Sequence, residues 1–315
     1  MVNLATAEST KCSSRTRFFK RYENDVDEYG FDLASYAGVE TFIRFLYKKW
    51  FGVQIAGLGN IPAKGNALLF GNHSGVLPID GFLLYDGIIN YHPDPRRVRY
   101  LVTKFLLKAP QIGKCLSGFG AIPPDYEIAT KLLRKQELVF FYPEAEKGTG
   151  KLFKNRYKLV EFHTGFVRAA LETGSPLIPI VTIGGEEIYP LLGNIKPVAK
   201  LLNAPYFPLT PFFPWLPFPF NAIPLPIQIM ICVWRPFKLK YPPEAAADEN
   251  LVAEIANDIQ NDIQAKVNDL LEIRTSPFKR WNMDKVNAYL ENTNSYSPQM
   301  EKHFVSIHRD KSRNS

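Results

Sequence analysis

Short apolar runs recur along the chain at 67–70 (ALLF), 98–103 (VRYLVT), 138–142 (LVFFY), 177–183 (LIPIVTI) and 227–234. Between them, at about 80–90, 104–117, 125–136 and 158–173, apolar residues return at helical spacing. Short, β-branched and aromatic runs read as strands, and the three-to-four-residue period reads as amphipathic helix. Strands interleaved with helices predict an α/β domain with a mostly parallel central sheet flanked by helices. Gly174 is a candidate C-cap for the helix before the 177–183 run. Two more helices frame this alternation. Residues 38–50 (GVETFIRFLYKKW) have an apolar face and end in Lys48 and Lys49. At 244–273, Leu251, Ile255, Ile259, Ile263, Val267, Leu270 and Leu271 repeat at helical spacing, which predicts one long helix packed on the sheet. No internal repeat is present.

One stretch breaks the pattern. Residues 201–234 contain eight prolines and no charge. The length would suit a membrane span, but proline removes amide donors and clashes one turn back, so no ordinary helix forms there. Proline-broken backbone cannot lie in lipid with its polar groups unpaired. The reading is an apolar, aromatic insertion at 201–226 that touches a bilayer surface or an acyl chain, followed by a strand; a proline-rich loop buried in the core is the plainer alternative. Residues 35–273 then form the domain. Residues 1–34 are expected as a basic N-terminal arm without a signal-peptide core, and 274–315 as a basic C-terminal tail.

Composition changes this picture little. Hydrophobic residues make up 46% and charged residues 22%, which places the chain among globular proteins rather than disordered ones. Three scattered cysteines, Cys12, Cys115 and Cys232, show no metal-ligand spacing and no disulfide framework. No metal is expected. The formal charge of +7 favours phosphate-bearing partners, read here as an anionic lipid surface rather than nucleic acid.

Chemistry concentrates in two loops. His73 and Asp80 lie in GNHSGVLPID, just past the 67–70 run. Imidazole takes up a proton near working pH, and a carboxylate on its other ring nitrogen fixes the tautomer and steadies the imidazolium. A histidine held only by structural hydrogen bonds is the plainer alternative. The second loop, PEAEKGTGK at 143–151, leaves the next strand at the same end, where ligands bind in open α/β sheets. Glu144 is placed to accept from a substrate hydroxyl, Lys147 and Lys151 supply positive charge, and the amides of Ser74 and Gly75 are oxyanion candidates. GTGK is no nucleotide loop, because Ala145 and Leu152 stand where that motif needs glycine and a hydroxyl residue. The nucleophile elbow G-x-S-x-G is absent, so Ser74 reads as a loop residue.

Taken in order, NHS…PID, GFGAIP, YPEAEKGTGK and IPIVTIGGEEIYP resemble the blocks of the glycerolipid and lysophospholipid acyltransferase family, closest to its bacterial and diacylglycerol-acyltransferase-like branch, over about residues 40–270. The resemblance implies that His73 is the catalytic base and Asp80 its partner. It places Gly118, Ala121 and Ile122 in the block that shapes the acceptor site. Glu144, Lys147 and Lys151 fall in the acceptor-binding block, and Ile178, Pro179 and Ile180 in the fourth. The chain departs from the family pattern in three ways. Six residues separate His73 from Asp80 rather than four. Tyr142 and Ala145 replace the usual Phe and Gly. Lys147 stands where arginine is usual, and a lysine does not replace a bidentate arginine at a phosphate. The implied activity is transfer of a fatty acyl group from acyl-CoA or an acyl carrier protein, as co-substrate and with no bound cofactor, to the hydroxyl of a glycerolipid or another hydrophobic alcohol. The implied location is the cytoplasmic face of a membrane, with peripheral or monotopic contact. A lipid-binding protein without chemistry and a lipid hydrolase are the alternatives.

Overall fold

The computed structural model describes residues 14–73, 79–201, 207–293 and 296–306. Eleven strands are present among them: β1 (Gln54–Ala56), β2 (Ala67–Gly71), β3 (Val98–Leu101), β4 (Ala121–Ile122), β5 (Leu138–Phe141), β6 (Leu177–Ile183), β7 (Gly193–Asn194), β8 (Pro208–Leu209), β9 (Met230–Val233), β10 (Phe237–Leu239) and β11 (Phe304–Ser306). The main sheet runs β1-β9-β6-β2-β5-β3-β4, with β10 pairing to β6 and to β11. All neighbours on the main path are parallel except β6 and β9. The fold is thus α/β with a mixed, mostly parallel sheet. The central strands β2, β5 and β6 read as continuous apolar runs because helices cover both of their faces. Two clusters of buried side chains fill these layers, one on each side of the sheet.

Helices form largely where the periodicity put them, with physical exceptions. The stretch at 104–117 breaks into Lys104–Lys108 and Ile112–Gly118. Pro110 forces the residue before it into extended backbone, and Ala109 is extended. The helix expected from 158 begins only at Gly165. Ahead of it, the amides of Leu159 and Phe162 donate to Gln264 and Gln260 on the long Glu249–Ile273 helix, and Val160 donates to Glu144. Those side chains take the amides that a helix would otherwise use.

The described residues near each end pack on the domain. Residues 14–22 are helical, and Phe18 and Phe31 are buried. Arg97 pairs with Asp25 and Glu137, each at 2.6 Å, and Arg99 pairs with Asp27, which ties the chain start to β3. At the other end Trp281, Val286, Leu290, Met300 and Phe304 enter the core, and β11 joins the sheet through β10. The +7 charge directed attention to lysines and arginines in both segments. It passed over the aromatic and aliphatic positions between them.

Among the described residues no helix is long and apolar enough to cross a membrane. The described part of the proline-rich insertion, 207–226, meets the chain through β7 and β8, a few backbone bonds and the Trp50 and Tyr189 side chains, which donate to the Pro224 and Ala222 carbonyls. Trp215, Phe218 and Phe220 on it are 68%, 82% and 58% exposed.

Candidate active site

β2 ends in Gly71, where a methyl group would lie 2.3 Å from the Ile180 carbonyl oxygen of β6. Asn72 then replaces strand pairing with its side chain. Its Nδ2 donates to the Thr182 carbonyl at 2.9 Å, and its Oδ1 accepts from the Thr182 amide at 2.8 Å. This brace fixes where His73 leaves the sheet. The His73 amide donates to Glu144 Oε1 at 2.9 Å. Gly148 sits so close that a methyl group would be 2.8 Å from both His73 Cβ and Glu144 Cβ. Two loops that follow β2 and β5 are therefore locked together at the carboxyl ends of adjacent parallel strands.

The His73 ring lies flat on the Tyr142 ring, with centroids 3.9 Å apart and planes 7° from parallel. Its Nδ1 is buried without a hydrogen-bond partner, which leaves Nε2 for a substrate. Loss of water, with the Lys151 charge adding to it, lowers the imidazole from its ordinary 6.5 to about 3. The ring is neutral at working pH, the form that can accept a proton. Asp80 lies in the first turn of the Ile79–Tyr91 helix and is buried, where the helix dipole favours its charge. The expected bond from Asp80 to His73 Nδ1 is not formed. Burial, with the charge of Asp80 adding to it, raises the Tyr142 phenol well above its usual range.

Glu144 departs from the expectation that it faces an acceptor. It is fully buried, and both of its oxygens are in use: Oε1 holds the His73 amide, and Oε2 accepts from Lys151 Nζ at 3.1 Å and Val160 N at 2.9 Å. The Lys151 side chain is 6% exposed and donates at 3.1 Å to Glu144, Glu186 and the Lys158 carbonyl. It neutralises two carboxylates and is not a free cation. Glu186 follows β6 and also accepts from the Tyr157 amide. Burial raises its carboxyl to about 7 against the pull of Lys151. Sequence reasoning passed over Glu186, although it too follows a strand at the same sheet end, in GGEE. Gly118 serves packing. A methyl group there would lie 2.3 Å from Ser35 Cβ, and its neighbours Leu116 and Phe119 face the cavity in its place. Ser74 and Gly75 lie outside the described residues.

His73 and Tyr142 open onto a cavity of about 810 Å³. Its walls are mostly aromatic and aliphatic, among them Phe82, Tyr85, Phe105, Phe119 and Phe166. Lys147 and His163, both exposed, join the lining near Pro143. The volume lies within the range of small-molecule sites. Elsewhere, Glu254, Asp258 and His303 come together, but Lys302 already bridges the two acids at 2.7 and 3.0 Å.

Residues 52–183 match the family model described as Acyltransferase. An uncharacterized protein of Mycobacterium leprae is 38% identical over 80% of this chain and 70% of its own length. A protein of Homo sapiens named "DGAT1/2-independent enzyme synthesizing storage lipids" is 25% identical over 69% of this chain and 61% of its own. The crystal structure of the 1-acyl-sn-glycerophosphate (LPA) acyltransferase PlsC from Thermotoga maritima aligns with 14% identity and a TM-score of 0.47, covering 86% of this chain and 99% of that one.

Proposed function

We propose, from the premise that the chain belongs to the acyltransferase family, that it moves a fatty acyl group from an acyl thioester to the hydroxyl of a glycerolipid or other hydrophobic alcohol. One observation carries the reading: a neutral His73 stands in the wall of an apolar cavity at the strand ends. The acyl chain lies in the cavity with its thioester carbonyl beside the imidazole. His73 Nε2 takes the proton of the acceptor hydroxyl as that oxygen bonds to the carbonyl carbon. The carbon–sulfur bond breaks, and the thiolate leaves with the proton that His73 returns. General-base help of this kind contributes about 10²–10⁴-fold, and positioning supplies more.

The charges favour an uncharged acceptor. A phosphate-bearing acceptor needs more than one available cation, and Lys151 is already held by Glu144 and Glu186. Lys147 alone of the two expected lysines lines the cavity. The test offers lysophosphatidate, monoacylglycerol, diacylglycerol and a long-chain alcohol in parallel micelles with labelled acyl-CoA, then with acyl carrier protein. Ester on a neutral alcohol is the expected result. Ester on lysophosphatidate alone would overturn the preference for a neutral acceptor. Free fatty acid without ester would make the protein a hydrolase.

The same reading places the protein on a membrane surface. Trp50 Nε1 donates to the Pro224 carbonyl at 3.1 Å, which sets the insertion beside the exposed Phe42 and Phe45. The Gln228 amide donates to the Pro277 carbonyl, bringing in the exposed Phe278, Lys279 and Arg280. Aromatic side chains enter the interface while lysine and arginine meet anionic headgroups. Replacing Trp215 and Phe218 together by aspartate is expected to weaken binding to anionic phospholipid vesicles by about tenfold or more. Sedimentation with vesicles checks this. Unchanged binding would remove the insertion from the membrane contact.

A further inference from the structure

Consecutive residues of a strand point to opposite faces of the sheet. Yet Tyr100 and Leu101 on β3, and Phe141 and Tyr142 at the end of β5, all line one cavity. The cavity therefore passes over these strand ends and reaches down both faces. On one face its wall is Leu68, Val139 and Phe141 of the sheet with Ala129, Phe166 and Ala169 of the covering helices, all packed in one core cluster. On the other face it is Tyr100 and Tyr142 with Phe82, Tyr85 and Phe119, which belong to the other cluster. His73 stacks on Tyr142, just past the end of β5, where the two arms join. The arms open to different surroundings. The second is reached past Phe105, exposed on the Lys104–Lys108 helix, and the next helix carries the exposed Ile112. Lys104, Lys108 and Lys114 beside them are exposed too. Gly118 sets this helix pair against Ser35 of the Leu33–Phe45 helix, which carries the exposed Phe42 and Phe45. Apolar side chains ringed by lysine suit an anionic bilayer surface. The first arm has polar surroundings instead. It ends at Tyr126, which shares a groove with Arg168, Glu172 and Glu244. Lys147 and His163 line the cavity on that side, where the His163 amide donates to the Pro143 carbonyl at 2.9 Å, just ahead of the Gly165–Thr173 helix.

We propose that the cavity is a two-chain site. The donor's acyl chain lies in the arm under the Tyr126–Arg134 and Gly165–Thr173 helices. The acceptor's own hydrocarbon chain lies in the arm under the Ile79–Tyr91 and Ile112–Gly118 helices, so the acceptor is an alcohol that carries a long chain. The assignment rests on the acyl-transfer reading of the site, and it follows the phase each substrate comes from. The donor's thiol carrier is phosphate-bearing and water-borne, so it leaves past Lys147 and His163. The acceptor is a bilayer lipid and enters past Phe105 and Ile112. Both reacting groups meet at His73. The acceptor hydroxyl gives its proton to Nε2, its oxygen bonds to the carbonyl carbon, the carbon–sulfur bond breaks, and the thiolate takes the proton back from the imidazolium. Two arms joined at the base hold each chain by apolar contact alone and bring the hydroxyl and the carbonyl together from opposite sides of the sheet.

Narrowing one arm at a time tests this in the full-length chain. Ala129→Leu fills the first arm and Leu116→Phe the second, since both residues line the cavity. Ester is measured across saturated acyl-CoAs from decanoyl to octadecanoyl with one alcohol, and across alcohols from decanol to octadecanol with one acyl-CoA. Ala129→Leu is expected to cut the rate with octadecanoyl-CoA about tenfold relative to decanoyl-CoA and to leave the alcohol series in place. Leu116→Phe is expected to cut octadecanol about tenfold relative to decanol and to leave the donor series in place. Phe141→Leu and Phe82→Leu widen the same two arms and are expected to move the donor and alcohol optima to longer chains, so an arm whose filler fails to fold still has a readable variant. A variant that moves both series together, or the series assigned to the other arm, would overturn the assignment. Binding gives a readout without turnover. Equilibrium dialysis with labelled dodecanol is expected to find two saturable sites in the parent, with each filler weakening one of them about tenfold. A single site would overturn the two-chain cavity. Two sites without ester on any alcohol would leave that cavity standing and end the acyl-transfer reading, and with it the naming of donor and acceptor arms.

Discussion

Replacing His73 by alanine is expected to lower acyl transfer by about 10²–10⁴-fold, with little change in KM for the acyl thioester. The cavity is walled mainly by aromatic and aliphatic side chains that this change leaves in place, so donor binding persists while the proton acceptor is gone. Stability serves as the control, and its sign follows from the depressed titration. The folded imidazole titrates near 3 and the unfolded one near 6.5. Between those values the unfolded chain binds a proton that the folded chain does not, so this group costs stability as pH falls below about 6.5. His73→Ala removes that cost. The variant is expected to lose less stability than the parent between pH 6.5 and 4, measured by thermal unfolding at each pH. A folded His73→Ala protein that still makes ester at the parent rate would end the assignment.

The sequence carried the sheet well where burial is two-sided. LIPIVTI at 177–183 is β6 to the residue, because a strand covered on both faces has no polar positions to blur its ends. It carried the edges poorly. β1 and β4 have three and two residues, too short for a period to show. The same contrast holds in the site. Which loops meet was readable, since His73 and Glu144 both follow strand ends. How their side chains are spent was not, because it depends on partners far along the chain. The sequence shows a glutamate and a lysine seven residues apart in PEAEKGTGK. Only the fold shows that Glu186 comes between the strand ends to share that lysine. Likewise Tyr142 reads as a substitute for the family's phenylalanine, and only the fold shows its ring stacked flat on His73.

That shared lysine carries the second large effect. Lys151→Met keeps the length of the side chain and removes its charge, leaving Glu144 and Glu186 facing one another without water. The Lys151, Glu144 and Glu186 side chains are 6%, 0% and 6% exposed, so solvent cannot take over. Breaking a buried ionic cluster from one side costs about 3–5 kcal/mol, a fall in Tm on the order of 10 °C for a domain of this size. The loss is expected to depend on pH. In the parent, Glu186 titrates near 7 when folded against 4.5 when unfolded. The folded state holds a proton that the unfolded chain has released, and stability drains away as pH rises from 4.5 to 7. Lys151 holds the Glu186 carboxyl down, so without it the folded Glu186 keeps its proton more tightly and the drain steepens. The deficit of Lys151→Met is therefore largest above pH 7 and shrinks toward pH 5. Adding Glu186→Gln removes one of the two opposed charges and is expected to restore part of the loss at pH 8. Turnover should fall along with stability, because Glu144 is the group that holds the His73 amide in place. A deficit of the same size at pH 5 and pH 8, untouched by Glu186→Gln, would mean that packing rather than charge joins the two catalytic loops.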